Sequence, residues 1–281
     1  MKFGMNLLLW TGELHDQLLP TLQTLKKMGF DGVELPLFNT GLDYAAWGRR
    51  LNDLGLGRTS VTVRNQEDNP ISPDAAVRAK GVENTKRAID CTKAVGAETL
   101  CGPYHSALGL FSGRLPTKDE WKWGVDSMQQ VAEYAGEVGV KLGLEYLNRF
   151  ECYLLNTAAD AARFAREVGH PACGVMYDTF HAHIEEKNVP QAIRDLAGVL
   201  CHVHISENDR STPGQGNVRW KENFDALREV NYNGWMVIEA FGLALPELAA
   251  ATKIWRRMFA SEEQLARDGL AFMKAEVAKR W

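Results

Sequence analysis

The chain contains no Cys-x-x-Cys pair: its five cysteines, Cys91, Cys101, Cys152, Cys173 and Cys201, are odd in number and scattered. Such spacing excludes a disulfide framework and a thiolate zinc site, and it suits a reducing, cytoplasmic setting. Apolar runs are short as well. None approaches the roughly 18 residues that a membrane-spanning helix needs. Gly4 and Asn6 interrupt Met1 to Trp10, so that stretch reads as a first strand rather than a leader. Basic blocks are lacking too. The 32 Lys and Arg stand against 36 Asp and Glu, a net charge of −4, so neither nucleic acid nor a membrane is an expected partner. No Gly-x-Gly-x-x-Gly loop follows the first strand, which argues against a doubly wound dinucleotide-binding sheet.

What remains is an alternation of short β-rich runs with longer segments of helical period. Eight strands are expected, at Lys2–Leu8, Gly32–Leu35, Arg58–Val63, Glu98–Cys101, Lys141–Glu145, Gly174–Asp178, Leu200–Ile205 and Trp235–Glu239. Each precedes a helical segment, as in Thr157–Val168, with Thr157 at its start and Gly169 past its end. Eight βα units in 281 residues predict an α/β fold, a single (β/α)₈ TIM barrel spanning residues 1–281. A C-terminal helical extension, about 247–281, exceeds one outer helix and is expected to cap the barrel or form a subunit contact.

Reactive groups in such barrels sit where the strands end. Strand five ends in Glu145, strand six in Asp178, strand seven near His204 and strand eight in Glu239. Period-two alternation turns Gly143 with Glu145, and Val237 with Glu239, toward the barrel axis. Three converging carboxylates would repel one another in a buried site, so a divalent cation is the simplest way to keep them ionised. One imidazole among hard oxygen donors favours Mn²⁺, with Co²⁺ or Mg²⁺ as alternatives. His202 and Glu34 share the inward face but read as packed neighbours rather than ligands. Glu151, His181 and Arg210 follow strands five, six and seven, where polar groups would orient a substrate hydroxyl or a developing oxyanion. Trp10, Asn6, His105 and Leu108 are expected at the distal end of the pocket, and Asn148 and Arg149 beside the metal.

The phrases Leu144-Glu145-Tyr146-Leu147-Asn148-Arg149-Phe150-Glu151, Asp178-Thr179-Phe180-His181 and His202-Val203-His204-Ile205 with Glu207 and Arg210 resemble the D-tagatose 3-epimerase family. That family includes the D-allulose (psicose) and L-ribulose 3-epimerases of the xylose-isomerase-like barrel superfamily. The resemblance implies a metal held by Glu145, Asp178, His204 and Glu239. It also implies that Glu145 and Glu239 act as an acid/base pair, that Glu151, His181 and Arg210 contact a free keto sugar, and that the protein is a homodimer or homotetramer. Ala182-His183 and the segment 102–109 depart from the family pattern, which bears on the preferred sugar. Alternatives are an aldose–ketose or hydroxypyruvate-type isomerase of the same superfamily and, from other classes, a metal-dependent phosphoesterase or a non-catalytic sugar-binding barrel. Seven histidines and a net negative charge are poor material for a zinc-cluster phosphoesterase acting on DNA.

Overall fold

Eight parallel strands close on themselves in the computed structural model, which describes residues 1–281: β1 (Lys2–Asn6), β2 (Gly32–Pro36), β3 (Gly57–Val61), β4 (Thr99–Gly102), β5 (Lys141–Glu145), β6 (Cys173–Asp178), β7 (Leu200–Ile205) and β8 (Trp235–Ile238). β1 pairs with both β2 and β8, so the sheet has no free edge and the expected (β/α)₈ barrel is realised. Amphipathic helices form the outer ring: α1 (Leu19–Met28), α2 (Tyr44–Asp53), α3 (Ala75–Val95), α4 (Lys118–Val138), α5 (Ala158–Val168), α6 (Thr179–Glu185), α7 (Val189–Asp195) and α8 (Trp220–Glu229). The final α9 (Pro246–Ala251) and α10 (Glu262–Ala278) are two separate helices, not the continuous stretch the sequence suggested.

The caps follow local chemistry. The Thr117 hydroxyl accepts a hydrogen bond from the Glu120 N–H while the Glu120 carboxylate accepts one from the Thr117 N–H, closing a capping box at the start of α4. Four of the helices end on glycine in the left-handed conformation, at Gly29, Gly96, Gly139 and Gly169, where a Cβ would be strained. The outward strand faces and the helices enclose one large apolar core that includes Leu35, Leu100, Leu142, Leu144 and Phe164.

Strand ends are where expectation and structure part. β1 stops at Asn6, two residues early, because the Asn6 side chain accepts from the Leu8 N–H at 2.8 Å and starts a 3₁₀ turn over Leu7–Leu9. β3 begins at Gly57 and ends at Val61, and β8 ends at Ile238, which leaves Glu239 just past its strand. Val175 and Met176 of β6 pair with Leu200 and His202 of β7, so Cys201 is an extra residue in the ladder. That bulge sets the parity of the strand beyond it. Both His202 and His204 consequently face the barrel interior, beside Glu34 of β2.

Candidate metal centre and active site

Glu145, Asp178, His204 and Glu239, supplied by four consecutive strand ends, bring one ligand atom each to within 4.8 Å of all the others. All four are buried. His204 shows how the group is organised. Its Nε2 lies 2.6 Å from Glu34 Oε1, while its Nδ1 faces Glu239 Oε1 at 3.4 Å and Asp178 Oδ2 at 3.7 Å and makes no hydrogen bond. Burial opposes a charge on this ring, but the Glu34 and Glu239 carboxylates outweigh it and hold its pKa well above the usual value while no ion is bound. A carboxylate accepts but does not donate, so when an ion displaces one proton Nε2 keeps the other toward Glu34 and the Nδ1 lone pair is aimed into the acids. A buried nitrogen without a partner is costly unless something else uses it. An imidazole lone pair converging with three carboxylates is a suitable donor set for a divalent ion.

Electrostatics point the same way. Glu145 is held well above the usual carboxylate range, first by burial and then by the charges of Glu239 and Asp178. Glu239 is held below it: burial opposes ionisation, but the charges of His204 and Arg210 outweigh that cost. The Arg210 Nη1 group donates to Glu239 at 2.5 Å, Asp178 at 3.1 Å and Ser206 at 3.2 Å. With the extra protons of Glu145 and His204 removed, three carboxylates would stand against one guanidinium, a negative charge that a dication would neutralise.

The cluster of Glu34, Cys101, His202 and His204 lies one layer deeper and is of a different kind. Glu34 already receives Asn6 Nδ2, Thr59 Oγ1 and Cys101 Sγ at 3.0, 2.8 and 3.1 Å. Burial and the Glu34 charge push the Cys101 thiol well above its ordinary value, so it is not a ready thiolate. This is a hydrogen-bonded support beneath the upper cluster.

Arg210 is presented by a tightly built loop. Glu207, fully buried, accepts from the N–H groups of Asn208, Gly214 and Val218 and from the Trp220 indole, at 2.9 to 3.0 Å. Arg210 itself adopts a left-handed backbone (φ 63°), a conformation costly for a side chain of its size and fixed here by the Phe241 N–H on its carbonyl. Its guanidinium lies 3.7 Å from the Phe180 ring centre. His181 Nδ1 accepts from the Asn148 backbone N–H at 3.1 Å, so the neutral ring places its proton on Nε2, 3.5 Å from Glu145 Oε1. Burial and then the Arg210 charge lower the His181 pKa to about 3. Glu151 is held through Asn148 Nδ2 at 2.8 Å.

Other expected positions fall elsewhere. Asn6 is fully buried, 3.0 Å from Glu34 and 3.4 Å from Glu239, rather than at a distal pocket wall. His105 is buried behind the Glu145 carbonyl, its Nε2 2.8 Å away. Leu108 is exposed and Trp10 half-buried. Arg149 turns outward to pair with Glu185 at 2.8 Å. Sequence reasoning missed that Asn6 links Glu34 to Glu239. Asn6 and Glu34 are register partners on neighbouring strands, a pairing that the linear sequence does not give.

A closed eight-stranded barrel with an acid-and-histidine cluster at the carboxyl ends of β5 to β8, able to hold a metal ion, is the architecture of a TIM-barrel enzyme. The chain belongs to the xylose isomerase-like TIM barrel family, whose pattern matches residues 22–276, and within it to the ketose 3-epimerases, which are isomerases. It is 34% identical to the L-ribulose 3-epimerase of Mesorhizobium japonicum over 99% of this chain and 96% of that protein. With the D-psicose 3-epimerase of Agrobacterium fabrum it shares 31% identity over 98% of both. The crystal structure of a Methylomonas D-allulose 3-epimerase in complex with D-allulose superimposes with a TM-score of 0.93 at 28% identity, covering 100% of this chain and 97% of that one.

Proposed function

We propose that the chain interconverts the C3 epimers of free keto sugars, of the D-fructose/D-allulose, D-tagatose/D-sorbose or L-ribulose/L-xylulose type, by moving the C3 proton. Glu145, Asp178, His204 and Glu239 hold one divalent ion, with Mn²⁺ the first choice and Co²⁺ or Mg²⁺ alternatives. When bound, the ion acts as a Lewis acid that acidifies the carbon beside the ketone, an effect worth several kcal/mol. The single observation that carries the reading is geometric: Glu145 and Glu239 each bring a carboxylate oxygen to one buried cluster with Asp178 and His204, from two separate strand ends. The two glutamates stand three strands apart around the ring, about 135° by division of the barrel, so they address a central sugar from different sides.

Glu239 takes the C3 proton from one face and Glu145 returns one to the other, the roles exchanging with the direction of reaction. His181, kept neutral with a proton on Nε2, and Arg210 donate to sugar oxygens where negative charge develops. Glu151 accepts from a hydroxyl. D-allulose bound in the Methylomonas relative supports a ketose as substrate. The free state of all five cysteines supports a cytoplasmic setting. Exposed Leu115 and Phe150, on loops after β4 and β5, and Trp255, between α9 and α10, support a homodimer or homotetramer, which light scattering would measure.

The test is a panel of ketoses incubated with Mn²⁺ in D₂O. Deuterium entering at C3 with formation of the epimer is expected. Label at C1 or C2 with an aldose product would replace this reading with that of an aldose–ketose isomerase, and no exchange at any carbon would leave a binding barrel.

A further inference from the structure

Glu34 is fully buried and belongs to none of the groups that meet the substrate or the ion, yet it has more partners than any ligand. Five groups close on its carboxylate. Oε1 receives Asn6 Nδ2 at 3.0 Å and His204 Nε2 at 2.6 Å; Oε2 faces Thr59 Oγ1 at 2.8 Å, Cys101 Sγ at 3.1 Å and His202 Nε2 at 2.8 Å. Such convergence fixes the carboxylate in one place, because each oxygen has its acceptor directions filled. The contact to His204 is the one with a consequence above this layer.

An imidazole has two nitrogens and, when neutral, one proton. Were Nε2 of His204 free, the proton could sit on Nδ1 and donate to Glu239 or Asp178, which stand 3.4 and 3.7 Å away. The nitrogen would then be lost as a ligand. The ring itself is packed edge-on against His202, with centroids 5.3 Å apart and planes at 72°, so its direction is settled and only the proton position is left to choose. We infer that Glu34 is a positioning residue for metal binding: by holding the proton of His204 on Nε2, it keeps Nδ1 as the donor that faces Asp178 and Glu239. Asn6 extends the same support to a second ligand, since its amide bridges Glu34 at 3.0 Å and Glu239 at 3.4 Å. The inference rests on the metal reading above, and supporting carboxylates of this kind typically contribute 10- to 100-fold in metal affinity.

The experiment measures Mn²⁺ dissociation constants by electron paramagnetic resonance of the free ion for wild type, Glu34→Gln and Thr59→Val. Glutamine keeps the shape but turns an amide N–H₂ toward donors, whereas the valine removes a neighbouring buried hydrogen bond and keeps the carboxylate. Glu34→Gln is expected to weaken Mn²⁺ about 10- to 100-fold, with Thr59→Val close to wild type. Equal losses in both variants would show that only packing is at stake, and an unchanged Glu34→Gln would overturn the inference outright. Wild type that takes up no Mn²⁺ would overturn the metal reading and this one together. Should Glu34→Gln not fold, the wild type decides: long-range ¹⁵N correlation spectra of the Zn²⁺-loaded protein are expected to show His204 with a protonated Nε2 and a bare Nδ1. A bare Nε2 would refute the role.

Discussion

Glu145→Gln and Glu239→Gln are the same chemical change at two ligands of one cluster, yet in metal-free protein their effects on stability should differ. Glu239 is ion-paired with Arg210 at 2.5 Å, faces His204 Nδ1 at 3.4 Å, and is buried together with both. Taking its charge away leaves a buried guanidinium relying on Asp178 at 3.1 Å. Breaking one side of a buried pair costs about 3–5 kcal/mol, and the surviving Asp178 contact places this case near the lower end. Glu145 is the opposite case. Its carboxyl is already driven toward the protonated form by burial and by Glu239 and Asp178, so an uncharged amide of the same shape should change stability by less than about 1 kcal/mol. At about 2–4 °C per kcal/mol, the expected fall in Tm is about 6–12 °C for Glu239→Gln and no more than a few degrees for Glu145→Gln. Differential scanning calorimetry in EDTA at pH 7.5 measures both. Equal losses, or the larger loss in Glu145→Gln, would refute this charge assignment for the metal-free protein. With Mn²⁺ present both variants are expected to lose most of the metal-dependent rise in Tm and most of the turnover.

Chelation of the wild-type protein should lower its Tm, and Mn²⁺ at about 1,000 times Kd should restore about 4 kcal/mol, so a Tm indifferent to EDTA and Mn²⁺ would remove the metal from the scheme. Burial lowers the His105 pKa to about 4, so the unfolded chain binds more protons between that value and about 6.5. Its contribution to stability is therefore intact above pH 6.5 and shrinks as pH falls toward 4, by about 3 kcal/mol in all. Urea midpoints at pH 7 and pH 4.5 should accordingly converge in His105→Gln relative to wild type, and parallel shifts would count against it. Arg210→Lys keeps the charge but loses the flat guanidinium that stacks on Phe180 while its Nη1 reaches Asp178 and Glu239, and should reduce kcat/KM by about 10- to 100-fold, equivalent to about 1.5–3 kcal/mol. Wild-type kinetics in that variant would mean that the guanidinium serves only the fold.

The strands of the site were more legible than those opposite it. β5 and β7 have the bounds that alternation gave them, and β6 differs by one residue at its start, where Cys173 is buried in the apolar core. β1 was overread because Leu7–Leu9 is as apolar as a strand, whereas the side chain of Asn6 turns the backbone away. The C-terminal stretch contains no proline between Glu247 and Lys279, so nothing in its period announced the break. The signal that existed was Ser261 followed by acids and Gln264, whose N–H the Ser261 hydroxyl accepts at 3.1 Å. Strand ends named four residues that do converge, but a linear pattern gives no distances across a ring. Thus the contacts of Asn6, from β1, to Glu239 after β8, and of Glu34, from β2, to His204 on β7, emerge only when the barrel closes.

The inequality between the two glutamates also follows from the order of strands. β6, β7 and β8 are neighbours, so Asp178, His204 and Glu239 share the cations that lie among them, and the loop after β7 lowers Arg210 onto the same group. Glu145 stands at the far end of that arc. The base beside it is His181, which can offer no positive charge: Asn148 fills its Nδ1, and burial keeps its pKa near 3. The loop after β5 thus withholds from Glu145 what the loop after β7 supplies to Glu239. Two identical side chains on one scaffold acquire different proton affinities because Glu239 lies against His204 of β7 and Arg210 of the loop after it, whereas Glu145 is raised by burial and by the charges of Glu239 and Asp178. Exchanging proton affinities between the glutamates would therefore require moving both His204 of β7 and Arg210 of the loop after it, while substitutions within β5 or β8 below the mouth should alter stability without moving either carboxyl group's preference.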